Sequence, residues 1–190
     1  MRIIAGTHKG RVLASPSWDG LRPTSDRLRE TLFNVLAGEL AGATVLDVCS
    51  GTGAIALEAL SRGATRATGL DVDPRALRLM AANAAHCGLE NRCVIIRGSA
   101  PDALTREHVG GPFDIIVLDP PYAAPWIGDA VAAAGRLLAA GGLVVLEHAS
   151  RRAAPEPAGL RLARTRRAGD SALSIYRAVA QSDGGEPDTP

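Results

Sequence analysis

Aromatic residues and lysine are scarce in this sequence. Phe, Trp and Tyr make up 3% of its 190 residues although 46% are hydrophobic, so the core must consist mainly of Ala, Val, Leu and Ile. Lys9 is the single lysine among 21 Lys and Arg residues. GC-rich coding sequence accounts for this bias as well as RNA contact does, so composition alone does not indicate a nucleic-acid partner.

Cysteines and long apolar runs are also few. Cys49, Cys87 and Cys93 have no CxxC pairing and the four histidines show no ligand spacing, so neither a disulfide framework nor a metal site is expected. The N-terminal stretch MRIIAGTHKG is too polar for a signal peptide. No run approaches the roughly 18 apolar residues that a membrane span needs. We therefore expect a cytoplasmic protein without membrane contact.

Charge is unevenly distributed, although the net charge is only +1. Residues 1–30 contain six Lys or Arg and three acids, and residues 151–180 contain seven Arg and two acids. Residues 31–150 instead contain eight basic and twelve acidic side chains. Basic ends around an acidic centre are typical of a polyanion-binding surface beside a site for a cationic or neutral cofactor, although solvated surface charge explains the pattern equally well.

Short apolar runs alternate with helical patterns between residues 44 and 150. This alternation predicts an α/β fold, with a mostly parallel, Rossmann-like sheet covered by helices on both faces. The predicted strands are Thr44–Val48, Arg66–Leu70, Arg92–Arg97, Phe113–Leu118 and Leu143–Glu147. The predicted helices are Ala54–Ser61, Asp73–His86, Pro101–Glu107 and Trp126–Ala139.

The two ends of the chain depart from this alternation. Leu160–Arg167 and Ala172–Ala178 predict an antiparallel hairpin at one edge of the sheet, which brings the strands to seven. Met1–Ala14 predicts a small β-hairpin, and Thr24–Ala37 predicts a helix with one apolar face. The expected parts are an N-terminal extension over residues 1–40, a main domain over residues 41–180 and a disordered tail over residues 181–190.

An acidic, glycine-rich turn follows the first predicted strand. Its candidate cofactor-binding residues are Asp47, Cys49, Ser50, Gly51 and Gly53. The glycines let the backbone turn tightly and approach a ligand at a helix N-terminus. A carboxylate here would repel the pyrophosphate of a dinucleotide but stabilise the ammonium and sulfonium groups of S-adenosylmethionine, so the turn favours the methyl donor. We expect Cys49 to pack beside the cofactor and to take no part in catalysis.

Two more candidates lie after the second and third predicted strands. Asp71 comes 18 residues after Gly53, and an acid there can accept hydrogen bonds from ribose hydroxyls. A helix N-cap or a surface acid is the alternative interpretation, and it suits the neighbouring Asp73. Ser99 occupies the loop expected to hold adenine, although a hydroxyl accepts only weakly from an adenine amino group.

The fourth predicted strand ends in Asp119, Pro120, Pro121 and Tyr122, the candidate catalytic residues. Two prolines fix the backbone and remove two donors, so the carboxylate and the Pro120 carbonyl form a pair of acceptors in fixed geometry. Such a pair matches the two donors of an exocyclic amino group and would orient its lone pair toward a methyl group. Tyr122 would supply a stacking face worth about 1–3 kcal/mol. A proline-rich loop with a buried tyrosine is the structural alternative.

These motifs resemble those of the bacterial small-subunit ribosomal RNA guanine-N2 methyltransferases. The resemblance extends to about residue 178 and is most specific in Arg2–Gly6, Lys9–Arg11, Arg22–Asn34 and Gly51–Ala64. It implies the class I S-adenosylmethionine-dependent methyltransferase fold. It also implies methylation of N2 of guanine 966 in 16S ribosomal RNA, within the small subunit or an assembly intermediate. We expect the enzyme to be a monomer.

The basic N-terminal segment is expected to contact RNA phosphates. The candidate RNA-binding residues are Arg2, Lys9, Arg11, Arg22 and Arg27. The helical pattern also places Arg29 on the polar face that carries Arg27, opposite Leu28 and Leu32. A solvated face with local ion pairs is the alternative for this helix, and Phe33 is expected in the core.

Other functions remain open at this point. The same chemistry could act on adenine N6 in DNA or RNA, or on a protein glutamine. A nicotinamide-dependent oxidoreductase is disfavoured, since the single lysine and the histidines do not provide its usual catalytic groups. An inactive binding module is disfavoured by the intact Asp119–Tyr122 motif.

Overall fold

The computed structural model describes residues 1–18 and 25–179. Its strands are β1 (Thr44–Val48), β2 (Arg66–Asp71), β3 (Cys93–Arg97), β4 (Phe113–Leu118), β5 (Leu138–Ala149), β6 (Leu160–Ala168) and β7 (Ser171–Ala178). They form one sheet in the order β3-β2-β1-β4-β5-β7-β6. Strands β1 to β5 are parallel, and β7 runs antiparallel between β5 and β6. The predicted α/β class, mostly parallel sheet and C-terminal hairpin are confirmed.

The helices of the described residues are α1 (Asp26–Val35), α2 (Ala54–Ser61), α3 (Pro74–Cys87), α4 (Arg106–Val109) and α5 (Ile127–Gly135), with a short 3-10 helix at Glu90–Arg92. Side-chain caps start three of these five described α-helices, α1, α3 and α4. The Ser25 hydroxyl accepts from the Leu28 amide at the start of α1. Asp73 caps α3 in the same way, and Gly88 ends that helix in the left-handed conformation.

Two predicted helices differ from the structure. Helix α5 ends at Gly135, and the Leu- and Ala-rich segment after it opens β5, whose Leu138 pairs with Phe113. Since Ala and Leu suit both helix and buried strand, periodicity could not separate the two there. The helix predicted over Pro101–Glu107 is also wrong: turns precede Thr105, whose hydroxyl caps the four-residue α4.

The N-terminal segment is less regular than predicted. The expected hairpin forms around one antiparallel bridge between Arg2 and Val12, with backbone hydrogen bonds from Leu13 to Met1 and from Ile3 to Arg11. The segment also packs on α2, where a Cβ on Gly6 would lie 1.9 Å from the Ser61 carbonyl oxygen. Two side chains of the segment, Ile3 and Leu13, are buried in the apolar cluster that includes α1 and α2. The predicted tail over residues 181–190 lies outside the described residues.

Apolar residues cover both faces of the sheet. One cluster packs α1, α2 and α3 against one face, and a second packs α5 and the segment that ends in α4 against the other. Because β1, β2, β4 and β5 are parallel, their carboxyl ends meet at one edge, where ligands bind in open α/β sheets. Within residues 1–18 and 25–179, none of the helices combines the length and apolarity needed to cross a membrane.

Candidate active site

The turn after β1 requires glycine for both conformation and space. Cys49, Gly51 and Gly53 have positive φ angles of 64°, 52° and 77°. A Cβ on Gly53 would lie 2.5 Å from Cγ of Met80 in α3. The turn is therefore packed tightly against α3, and its backbone lines the carboxyl edge of the sheet.

Asp47 is fully buried at this edge. Its Oδ2 accepts from the Ala56 amide at 3.1 Å, while Oδ1 and the buried Ser50 hydroxyl find no hydrogen-bond partner among the described residues. Burial raises the pKa of Asp47 to about 8, and the charges of Asp119 and Asp71 add to the shift. Three carboxyl groups thus lie close together at this edge, and Asp47 keeps an acceptor that no described residue uses and that a cationic ligand could engage.

Asp71 is held by the backbone at the end of β2. Its two carboxylate oxygens accept from the Gly51 amide at 2.8 Å and from the Asp73 amide at 2.9 Å. A carboxylate offers about four lone-pair sites, so acceptors remain for a ribose. Ser99 is exposed, and its hydroxyl approaches only the adjacent Ala100 carbonyl, at 3.5 Å.

The Cys49 thiol lies beside the same cleft and packs against the second apolar cluster. Burial, followed by the nearby carboxylates, raises its pKa to about 12. A thiol that stays protonated at neutral pH is a poor nucleophile. This environment agrees with a packing role for Cys49.

Asp119 and Pro120 lie at the end of β4, beside the β1 turn. The Asp119 amide donates to the Val48 carbonyl at 3.2 Å, which ties the loop to β1. Asp119 is partly exposed and Pro120 is buried, whereas Pro121 faces solvent. The structure therefore places Asp119 and Pro120 beside the β1 turn, whereas Pro121 lies on the solvent-exposed side of the loop.

Two residues outside the sequence prediction hold Tyr122. Its hydroxyl donates to Oε1 of Glu147 at 2.7 Å and lies 2.6 Å from the Ser171 hydroxyl. Glu147 also shares a hydrogen bond with Asp119. Burial, then Asp119, raises the pKa of Glu147 to about 8. An acid at the carboxyl end of a parallel strand was the available signal, since β5 ends at this edge.

The chain matches the protein family described as Conserved hypothetical protein 95 over residues 1–177. It belongs to this family. It is 36% identical over 186 residues to ribosomal RNA small subunit methyltransferase D of Escherichia coli, which covers 96% of this chain and 92% of that relative. The family resemblance predicted from the sequence is thereby confirmed.

Solved structures place the fold among S-adenosylmethionine-dependent methyltransferases. The structure of yhhF from Escherichia coli has a TM-score of 0.83 and 32% identity, covering 95% of this chain and 99% of that one. SMU.776, solved in complex with SAH, shares the fold with a TM-score of 0.63 at 17% identity, covering 78% and 49% of the two chains. No group of three His, Cys, Asp or Glu suited to a metal occurs in the described parts of the chain.

The predicted RNA-binding residues differ in their distance from this edge: Arg2 follows Met1, whose sulfur lies 3.9 Å from the Thr52 hydroxyl in the β1 turn, whereas Arg11 lies farther away. Arg2, Lys9, Arg11 and Arg27 are exposed, and Arg22 lies outside the described residues. Arg11 donates to the carbonyl of His86, in the last turn of α3. Helix α3 starts at the active-site edge and has 14 residues, so Arg11 is about 20 Å from that edge. That Arg11 contacts RNA stays a prediction. It requires an RNA that reaches about 20 Å from the active-site edge.

The expectation for Arg29 is wrong. Its side chain is fully buried, where it donates to the Arg2 carbonyl and to Asp26. One guanidinium nitrogen also lies 3.8 Å from the buried Glu58 carboxylate. The N-terminal segment covers this face of α1, so a position that is polar by helical pattern becomes interior.

Proposed function

We propose that this protein transfers a methyl group from S-adenosylmethionine to N2 of a guanine in 16S ribosomal RNA, at position 966. Homology to ribosomal RNA small subunit methyltransferase D over 96% of the chain supports methylation of ribosomal RNA. The observation that carries the amino-group chemistry is the junction of Asp119 with β1, which sets a carboxylate and the Pro120 carbonyl beside the cofactor turn. A ribosomal substrate would place the reaction in the cytoplasm, on the small subunit or its assembly intermediate.

The residues present suit the methyl donor. Asp47 Oδ1 and the Ser50 hydroxyl are buried acceptors without a described partner, and they would hold the cationic amino-acid end. Asp71 would accept from the ribose hydroxyls, and Gly51 and Gly53 would allow close backbone approach. Ser99, which is exposed, would border the adenine only at its edge. When bound, S-adenosylmethionine supplies an electrophilic methyl carbon on its sulfonium.

Asp119 and Pro120 would position the attacking nitrogen. The two N–H groups of the guanine amino group would donate to the Asp119 carboxylate and to the Pro120 carbonyl. Held in this way, the nitrogen lone pair is less delocalised into the ring and points at the methyl carbon. Tyr122, fixed by Glu147 and Ser171, would present its ring to the extruded base.

Glu147 would hold the Asp119 carboxylate in position. With its pKa raised to about 8 by burial and by Asp119, Glu147 is mainly protonated at neutral pH and can donate a hydrogen bond to Asp119. As the N–C bond forms, the bond between the methyl carbon and sulfur would break and leave a neutral thioether. The nitrogen would then release one proton to Asp119, which restores a neutral amine.

Methylation of small subunits tests this function. Small ribosomal subunits from a strain that lacks this gene, incubated with the protein and labelled S-adenosylmethionine, should yield labelled N2-methylguanosine at one site in 16S RNA. Digestion and mass spectrometry identify both nucleoside and position. Label in N6-methyladenine or methylglutamine, with none in N2-methylguanosine, would contradict the proposal.

The buried Asp47 predicts a pH-dependent cofactor affinity. Its pKa of about 8 in the folded protein means that binding a cation must expel a proton below this pH. Affinity for S-adenosylmethionine should therefore rise as the pH increases toward about 8. Asp47→Asn should bind weakly and lose most of this dependence, as measured by calorimetry between pH 6 and 9. The exposed Asp129→Asn is the control and should keep the wild-type profile.

Stability provides an independent reading of the same group. A carboxyl whose pKa is raised on folding binds more protons in the folded state, so its contribution falls as pH rises from about 4 to about 8. Asp47→Asn should unfold with a shallower pH dependence over this window. An unchanged slope together with unchanged cofactor affinity would remove Asp47 from the site.

A further inference from the structure

A cavity of about 370 Å³ lies next to the loop Asp119–Tyr122, on the α5 side of the sheet. It is formed by the end of β5, the loop after it and the β6–β7 hairpin. Its polar lining consists of His148, Ser150, Arg152, Thr165 and Arg167. The cavity thus combines two guanidinium groups with hydroxyl and imidazole donors.

The wall of this cavity is fixed by a chain of hydrogen bonds that runs from the buried His148 to Thr165, which is exposed. The His148 ring is 5% exposed, and its Nε2 lies 2.8 Å from the Ser174 hydroxyl. That hydroxyl lies 3.1 Å from the hydroxyl of Thr165 on β6. Because these three side chains share one face of neighbouring strands, β6 is held at a set distance from β5.

The same segments hold the catalytic tyrosine. Arg152 donates to the Tyr122 carbonyl at 2.7 Å. Ser171, next to the cavity residue Ala172 in sequence but on the other face of β7, contacts the Tyr122 hydroxyl. A ligand in the cavity would therefore lie next to the loop that carries Tyr122, on the side held by Arg152.

Positive charge around the cavity is not neutralised. Among residues 1–18 and 25–179, no carboxylate forms an ion pair with any arginine between positions 151 and 167. These arginines are exposed: Arg151, Arg152, Arg161, Arg164, Arg166 and Arg167. Strand register puts Arg167 opposite Ala172, on the cavity side, whereas Arg164 and Arg166 occupy the other face.

We propose that Arg167 and Arg152 bind a backbone phosphate of the RNA strand adjacent to the target guanine, within this cavity. The proposal rests on the proposed function, since it takes RNA as the substrate. A planar guanidinium matches phosphate oxygens in bidentate geometry. The C-terminal hairpin, at the active-site edge, then anchors the strand beside the flipped base, while Arg11 lies at the far edge.

Salt-dependent RNA binding tests the phosphate contact. Arg167→Ala should weaken binding of a short RNA hairpin containing the target guanine by about fivefold to tenfold and lower the salt slope by about 0.7. Arg66→Ala is the matched control. Arg66 is exposed at the start of β2, at the sheet edge opposite the one that holds Asp71 and the proposed active site. Affinity for S-adenosylmethionine should be unchanged in both variants, which shows that both are folded.

Replacing one backbone phosphate of the RNA with an uncharged methylphosphonate identifies the phosphate that Arg167 contacts. A methylphosphonate next to the target guanine should weaken wild-type binding but leave Arg167→Ala unaffected, and Arg167→Lys should recover part of the loss. If Arg167→Ala keeps the salt slope of the wild type and of Arg66→Ala, this proposal is overturned while the methyltransferase function stands. Failure of the wild type to bind or methylate RNA would instead overturn the proposed function, and this inference with it.

Discussion

Replacing Asp119 with alanine is expected to lower kcat for methyl transfer by about 100- to 1,000-fold, the scale for loss of one positioned polar group that acts in the transition state. The carboxylate would accept from the amino group and take up its proton, so its loss removes both orientation and a base. Asp119 lies beside the cofactor turn but its amide, not its side chain, ties the loop to β1. Affinity for S-adenosylmethionine should therefore change by less than about threefold.

Two further variants sharpen this result. Asp119→Asn retains one acceptor oxygen but cannot take up a proton, so it should keep more activity than Asp119→Ala. Asp129→Ala, an exposed change at the start of the following helix, should be as active as the wild type. Single-turnover kinetics with calorimetric cofactor binding separates the two steps. Wild-type turnover by Asp119→Ala would refute the mechanism.

Replacing Glu58 with alanine is expected to destabilise the protein by about 3–5 kcal/mol, as loss of one member of a buried ion pair does. The Glu58 carboxylate is fully buried in α2 and accepts from the Ile4 and Ala5 amides at 2.6 and 2.9 Å. It also pairs with Arg62 at 2.7 Å and lies near the buried Arg29. Its removal leaves the Arg62 guanidinium without its carboxylate partner and the Ile4 and Ala5 amides without their acceptor.

This loss should lower Tm by about 10 °C for a chain of this size. Glu39→Ala is the matched control, since Glu39 is exposed and paired with Arg177 at the surface. That variant should shift Tm by no more than about 2 °C. Thermal unfolding followed by circular dichroism measures both. Equal, small shifts in the two variants would show that Glu58 does not anchor the N-terminal segment.

Strand positions were predictable where local pattern and tertiary role agree. Thr44–Val48 and Phe113–Leu118 are short β-branched or apolar runs buried on both faces, and their bounds match the prediction. The turns that follow carry motifs whose place at the strand ends is dictated by the parallel topology. Asp47, Asp71 and Asp119 could therefore be assigned to one edge before any coordinates.

The remaining features depend on contacts distant in sequence. Arg29 is interior because residues near the N-terminus fold over α1, and Glu58 is its partner from another helix. No local sequence pattern indicates that the N-terminal segment covers Arg29 or that Glu58 is its partner. Ser171 likewise reaches Tyr122 only through the pairing of β5 with β7, whereas the strand-end position of Glu147 was a signal that did not identify its partner.

A structure of the protein with SAH and an RNA fragment containing the target guanine tests the central claim most directly. The account predicts N2 of that guanine within about 2.7–3.2 Å of both an Asp119 carboxylate oxygen and the Pro120 carbonyl oxygen. It also predicts that N2, the position that the transferred methyl carbon would occupy and the sulfur of SAH lie on one line, in that order. An Asp119 carboxylate turned away from the base, or a guanine bound through another edge, would contradict it.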